Sequence, residues 1–217
     1  MKSVRLAILL CFTLSSAAFA VPKYYEIGNG STVAPFQGPE PPGGSGLVIQ
    51  YALDAGLPGT NFILDDLQFT TFNFFQIWTD ETFVNSGDDL ALKPISATLD
   101  FVVPNVDATV TGNTFGQSVT FLGFISLQNG AVTWDGPAIV NIPGDRSFEV
   151  TLSDETFNFG VFGTSPGQYK GATVEATVKQ LTSTSAVPEG GNTALAFGGG
   201  LTILLGLGRL TVHHRRL

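Results

Sequence analysis

Cysteine is almost missing from this chain: Cys11 is the only one in 217 residues, so no intrachain disulfide can form. Histidine is nearly as scarce, with only His213 and His214 close to the C-terminus. A Ser-His-Asp triad, a Cys-His pair and a zinc site built on His or Cys are therefore excluded from everything between those ends. Charge is also sparse, and little of it is positive: ten basic residues against eighteen acidic ones, a net charge of −8. Half of the basic residues lie at the extremes (Lys2, Arg5, Arg209, Arg215, Arg216). Only Lys23, Lys93, Arg146, Lys170 and Lys179 stand among the eighteen acids between Glu26 and Glu189, so that stretch carries −13. Nucleic acid and anionic membrane surfaces would repel it, so no nucleic-acid partner is expected.

Both ends are apolar, each in its own way. Lys2 and Arg5 precede the apolar run Leu6 to Leu14, and Ala18-Phe19-Ala20 follows as a small-x-small cleavage site. That order predicts a secretory signal peptide over residues 1–20, with Val21 as the mature N-terminus. Leu10 before Cys11 is too large for a lipoprotein site. At the other end, Ala194 to Gly208 is uncharged, and with Arg209 snorkelling the stretch reaches Val212. As a helix rising ~1.5 Å per residue it would span close to ~28 Å, enough for a slightly thin bilayer. Its glycines are tolerable in lipid, where no water competes for the backbone. A transmembrane helix over 194–212 and a basic tail over 213–217, with Arg215 and Arg216 on the cytoplasmic side, are expected.

Just before this run stand Val187-Pro188-Glu189-Gly190-Gly191-Asn192-Thr193. The tripeptide, the short polar spacer, the single span and the arginine-ended tail together resemble the PEP-CTERM class of bacterial sorting signals. The likeness is greatest to variants whose core runs Val-Pro-Asp-Ser-Gly or Val-Pro-Asp-Gly-Gly; Gly190 stands where the commonest form has a second proline. The resemblance implies an exosortase-type transpeptidase as partner, acting at Val187 to Gly191. It further implies membrane anchoring before processing, a cell-surface or extracellular destination, and a host rich in exopolysaccharide. It covers about thirty residues and leaves the rest of the chain unassigned.

The remainder reads as all-β. Residues 21–46, with Pro35, Pro39, Pro41, Pro42 and Gly43-Gly44-Ser45-Gly46, predict an extended lead-in. From 47 to 181, β-rich runs bounded by turn residues predict one domain. The runs are Leu47–Leu53, Leu67–Trp78, Ser96–Val103, Val119–Leu127, Phe148–Leu152, Phe157–Phe162 and Ala172–Leu181. In the last, Ala172, Val174, Ala176 and Val178 fall on one face and Thr173, Glu175, Thr177 and Lys179 on the other, the period of an antiparallel strand with one wet side. Asn129-Gly130 predicts a type I′ hairpin turn that sets Leu127 against Val132 and Ile125 against Trp134. Seven or eight such strands predict an antiparallel β-sandwich of jelly-roll or immunoglobulin-like type. Residues 182–193 then form a linker carrying the sorting motif.

Carboxylates are the chemistry that remains. A glycosidase needs two of them facing one cleft, and neighbours such as Asp80-Glu81 point to opposite faces of a strand. Calcium prefers oxygen ligands from loops, which singles out Asp65, Asp66, Asp88, Asp89, Asn105 and Asp107 without matching an EF-hand. A lectin-like module would need an exposed aromatic, and Trp78 and Trp134 fall on predicted core faces. The expectation is a structural, non-enzymatic surface protein, with carbohydrate or calcium binding as alternatives and a carboxylate glycosidase behind them.

Overall fold

The computed structural model describes residues 21–35 and 46–181. The predicted signal peptide, the sorting motif at Val187 to Gly191 and the stretch 194–212 lie outside the described residues. Residues Val21–Thr184 make one compact unit.

Among the described residues the chain is nearly all β. The twelve strands are β1 (Lys23–Ile27), β2 (Thr32–Pro35), β3 (Gln50–Leu53), β4 (Asn61–Leu64), β5 (Phe69–Trp78), β6 (Lys93–Val103), β7 (Val106–Phe121), β8 (Ile125–Trp134), β9 (Ala138–Ile142), β10 (Arg146–Leu152), β11 (Glu155–Val161) and β12 (Ala172–Gln180), with one 3-10 turn at Gln168–Lys170. They form two antiparallel sheets. The first runs β11-β8-β7-β6-β1-β4, with β2 also paired to β6; the second runs β3-β5-β12-β10-β9.

Alternation accounts for most of these strands. Ile95, Ala97, Leu99 and Phe101 of β6 are buried while their neighbours are not, and Val174, Ala176 and Val178 of β12 repeat the pattern. β7 follows suit with Ala108 and Val110. The inward residues of both sheets join one hydrophobic cluster. Tyr25 of the first sheet is central to it, stacked on Phe62 at 5.2 Å and edge-on to Phe148 of the second sheet at 5.3 Å.

Three expectations are corrected. Residues 21–35, the described part of the expected 21–46 lead-in, are not a lead-in. Lys23–Ile27 and Thr32–Pro35 are strands, β1 lying against β4 and β6 and β2 against β6. Tyr25, Ile27 and Val33 carry them into the core, and burial of that apolar surface outweighs the weak local signal around them. Asn129-Gly130 is no turn either, but the middle of β8, with Gly116 of β7 opposite Gly130 on one side and Phe157 of β11 on the other. A Cβ on Gly130 would collide with the Phe157 ring, so glycine is there for close packing, not for a positive φ. The actual reversal is Leu122-Gly123-Phe124, with Leu122 at φ 54° and Gly123 at φ 77°. It cuts the predicted Val119–Leu127 strand in two and sets Trp134 against Gly112, not Ile125.

Candidate functional site

The loop between β5 and β6 gathers the most unusual chemistry among the described residues. Glu81 accepts the Val48 N–H at 2.8 Å. Asp89, 3% exposed, accepts the Asn85 N–H at 2.6 Å. The two carboxyls feel each other's charge, and Asp88 stands beside them. One oxygen of Asp88 is buried without a hydrogen-bond partner. Burial, opposed by the backbone N–H donors and reinforced by the neighbouring carboxylates, pushes both Glu81 and Asp89 above the usual carboxylate range. At least one proton is therefore easier to keep here than in water.

This loop is firmly stitched down. The Val84 N–H donates to the Gln128 side chain at 2.7 Å and the Gly116 N–H to the Asp89 carbonyl at 2.6 Å. The Thr164 hydroxyl donates to the Glu81 carbonyl. Asn158 completes the seam from β11. It is fully buried at φ 54°, accepts the Thr79 N–H at 2.8 Å, and donates its amide to the Ser165 and Gly167 carbonyls. Asparagine tolerates that left-handed backbone better than most residues, and its short amide reaches all three partners.

The predicted oxygen ligands do not come together. Asp88 and Asp89 share this loop with Glu81, a third carboxyl whose closeness to them no sequence spacing announces. Asp65 and Asp66 belong instead to the β4–β5 turn, where the Asp65 N–H donates to the Gln68 side chain. The flanking groove, about 490 Å³, is lined mostly by apolar Phe62, Ile63, Leu64, Leu67 and Phe69. Asn105 lies in the β6–β7 turn after the cis Val103–Pro104 bond, and Asp107 pairs across that hairpin with Asp100. Among the described residues, no group of three or more His, Cys, Asp or Glu is arranged to hold a metal ion.

The aromatics divide in a way that sequence pattern only partly anticipates. Trp134 packs edge-on to Phe75 at 6.4 Å and donates its indole N–H to the Ser153 carbonyl. Tyr25 is wholly buried, its hydroxyl donates to the Gln180 side chain, and burial raises its pKa to about 12. Arg146 sits over the same ring at 5.1 Å. Tyr169 is the contrary case, 81% exposed, with Lys170 near its ring.

A second feature was missed from sequence. Val119, Phe121, Leu122, Phe124, Phe159, Val161 and Phe162 are all exposed by more than half. The register makes them neighbours: Val119 pairs with Leu127, Leu127 with Val161, and Phe121 with Ile125. The Phe162 N–H donates to the Ser126 carbonyl. The available signal was the absence of any charged residue between Asp107 and Asp135 and between Glu155 and Lys170.

No helix among the described residues is long and apolar enough to cross a membrane. No protein-family model, no curated protein and no solved structure matches the chain, so its function is read from its own residues.

Proposed function

We propose that this chain is an exported bacterial surface or matrix protein with a structural role. In this reading the two sheets pack as a β-sandwich of jelly-roll or immunoglobulin-like type. Residues 1–20 direct export, 194–212 anchor the chain in the membrane, and an exosortase-type transpeptidase acts at Val187-Pro188-Glu189. Neutral exopolysaccharide is the surrounding partner. It does not meet the electrostatic repulsion that a −13 surface offers to anionic polymers.

The observation that carries the reading is the order of the C-terminal parts: motif, uncharged run, terminal arginines. The last strand, β12, ends at Gln180, ahead of Val187 in the sequence. A processing enzyme could therefore cut without touching a core strand.

The test is deletion of Val187 to Leu217 in the native host. The shortened chain should keep its β circular-dichroism spectrum and shift from the cell-associated fraction to the medium. An unchanged distribution between the two fractions would refute the sorting role.

A further inference from the structure

We infer that the exposed apolar face of β7, β8 and β11 is a docking surface for a second copy of this chain. The face is contiguous. Val119, Leu127 and Val161 form one cross-strand row, and Phe121 with Ile125 forms the next. Leu122 and Phe124 extend it around the turn, and Phe159 and Phe162 flank it on the β11 side. Single exposed apolar side chains are ordinary on protein surfaces, but a contiguous set of this size is not.

Size and charge choose the occupant. Large apolar side chains carry roughly 150–250 Å² when aromatic. At more than half exposure, the seven residues together offer on the order of 700 Å², against the ~800 Å² per partner of a standard stable interface. Charge narrows the choice further. Two copies of the Val21–Thr184 unit, each with 5 basic and 17 acidic residues and so a net charge of −12, repel wherever carboxylates face each other. Residues 108–134 and 156–169 hold no charged side chain, so this face is where two copies meet without bringing acids together. A basic partner would instead be drawn to the carboxylates elsewhere. A twofold axis sets the patch against itself and closes the assembly at a dimer.

Edge-to-edge strand pairing through β11 is not the mode. The chain that follows β11 folds back on it, the Ser165 N–H donating to the Asn158 carbonyl at 2.9 Å. The contact is face to face, through side chains.

The experiment is sedimentation equilibrium on the Val21–Thr184 unit, which contains its own core, from 1 to 100 μM. The wild-type unit should dimerise, and more tightly at 500 mM than at 50 mM NaCl, because salt screens the repulsion and leaves apolar contact intact. Phe121→Ser with Phe124→Ser should weaken dimerisation at least tenfold with an unchanged melting curve at 1 μM, where association adds nothing to stability. If that pair disturbs folding, Val119→Ser serves in its place with the same expectation. Ile139→Ser, an exposed apolar site on β9, should change nothing. A monomer throughout the range would overturn the inference. So would a dimer indifferent to the patch variants, equal weakening by Ile139→Ser, or uptake by phosphatidylcholine vesicles without self-association.

Discussion

Glu81 shows how single residues set the balance in this molecule. Its carboxyl is useful as an acceptor for Val48 and costly as a charge, because Asp89 and Asp88 stand beside it. With Glu81 and Asp89 both raised by burial, the folded state binds more protons than the unfolded chain just above the ordinary carboxylate range. Stability therefore falls as pH rises from that range through the raised values, and stays lower beyond them. Glu81→Gln keeps an oxygen for Val48 and removes the charge. We expect it to raise the melting temperature by about 2 °C at pH 7 and to make no difference at pH 3.5, where both forms are neutral. Thermal melts at the two pH values decide this; a lower melting temperature at pH 7 would show that the charge helps the fold. The Tyr25 hydroxyl is tied differently. Its partner Gln180 is 155 residues away. No local spacing announces such a pair.

Among the strands, legibility followed the strength of alternation. β6, β10 and β12 lie close to where period two placed them, because each buries one face and wets the other. β1 and β2 are too short, and too close to a proline-glycine stretch, to stand out. They are strands because β4 and β6 offer them hydrogen bonds and the core accepts Tyr25, Ile27 and Val33. The central error was Asn129-Gly130, where a good local turn signal was overridden by tertiary packing. Gly116 and Gly130 face each other across β7 and β8, Phe157 fills the space over Gly130, and Val84 covers Gly116. This makes a prediction about elements. Gly130→Val introduces a residue with high strand propensity but drives a branched side chain into the Phe157 ring. Overpacking of this kind costs about 1–3 kcal/mol, which for a domain of this size lowers the melting temperature by roughly 3–10 °C. A type I′ turn at this site would suffer as well, so the discriminating variant is Asn129→Val. It should be tolerated in a strand and ruinous at a left-handed turn position. Melting of the two variants, read together, separates the strand from the turn.

At the scale of the whole molecule, a single cysteine allows no intrachain disulfide, and ion pairs are few among the described residues. Lys23 and Arg146 both reach Asp145, at 3.0 and 2.9 Å, and Lys179 reaches Glu149 at 3.1 Å; these are the ion pairs seen among the described residues. Asp145 is half-exposed and held below its usual pKa, first by the Lys23 hydrogen bond, against a smaller opposing effect of burial. Such surface pairs contribute under about 1 kcal/mol each. Against them stands the mutual repulsion of the Val21–Thr184 unit, with 5 basic and 17 acidic residues and so a net charge of −12, in a solution whose Debye length is about 10 Å at 0.1 M salt. Repulsion among many uncompensated charges outweighs three screened attractions, so added salt should stabilise the fold. Raising NaCl from 20 to 300 mM is expected to increase the melting temperature of the Val21–Thr184 unit by several degrees, about the effect of 1–2 kcal/mol. Thiol reductant should leave it unmoved, because Cys11 lies outside this unit. Protein held at 1 μM keeps association from adding to the effect. A melting temperature that fell with salt would mean that the Asp145 and Glu149 pairs govern stability after all. The hydrophobic cluster spanning both sheets would then be a weaker anchor than its burial implies.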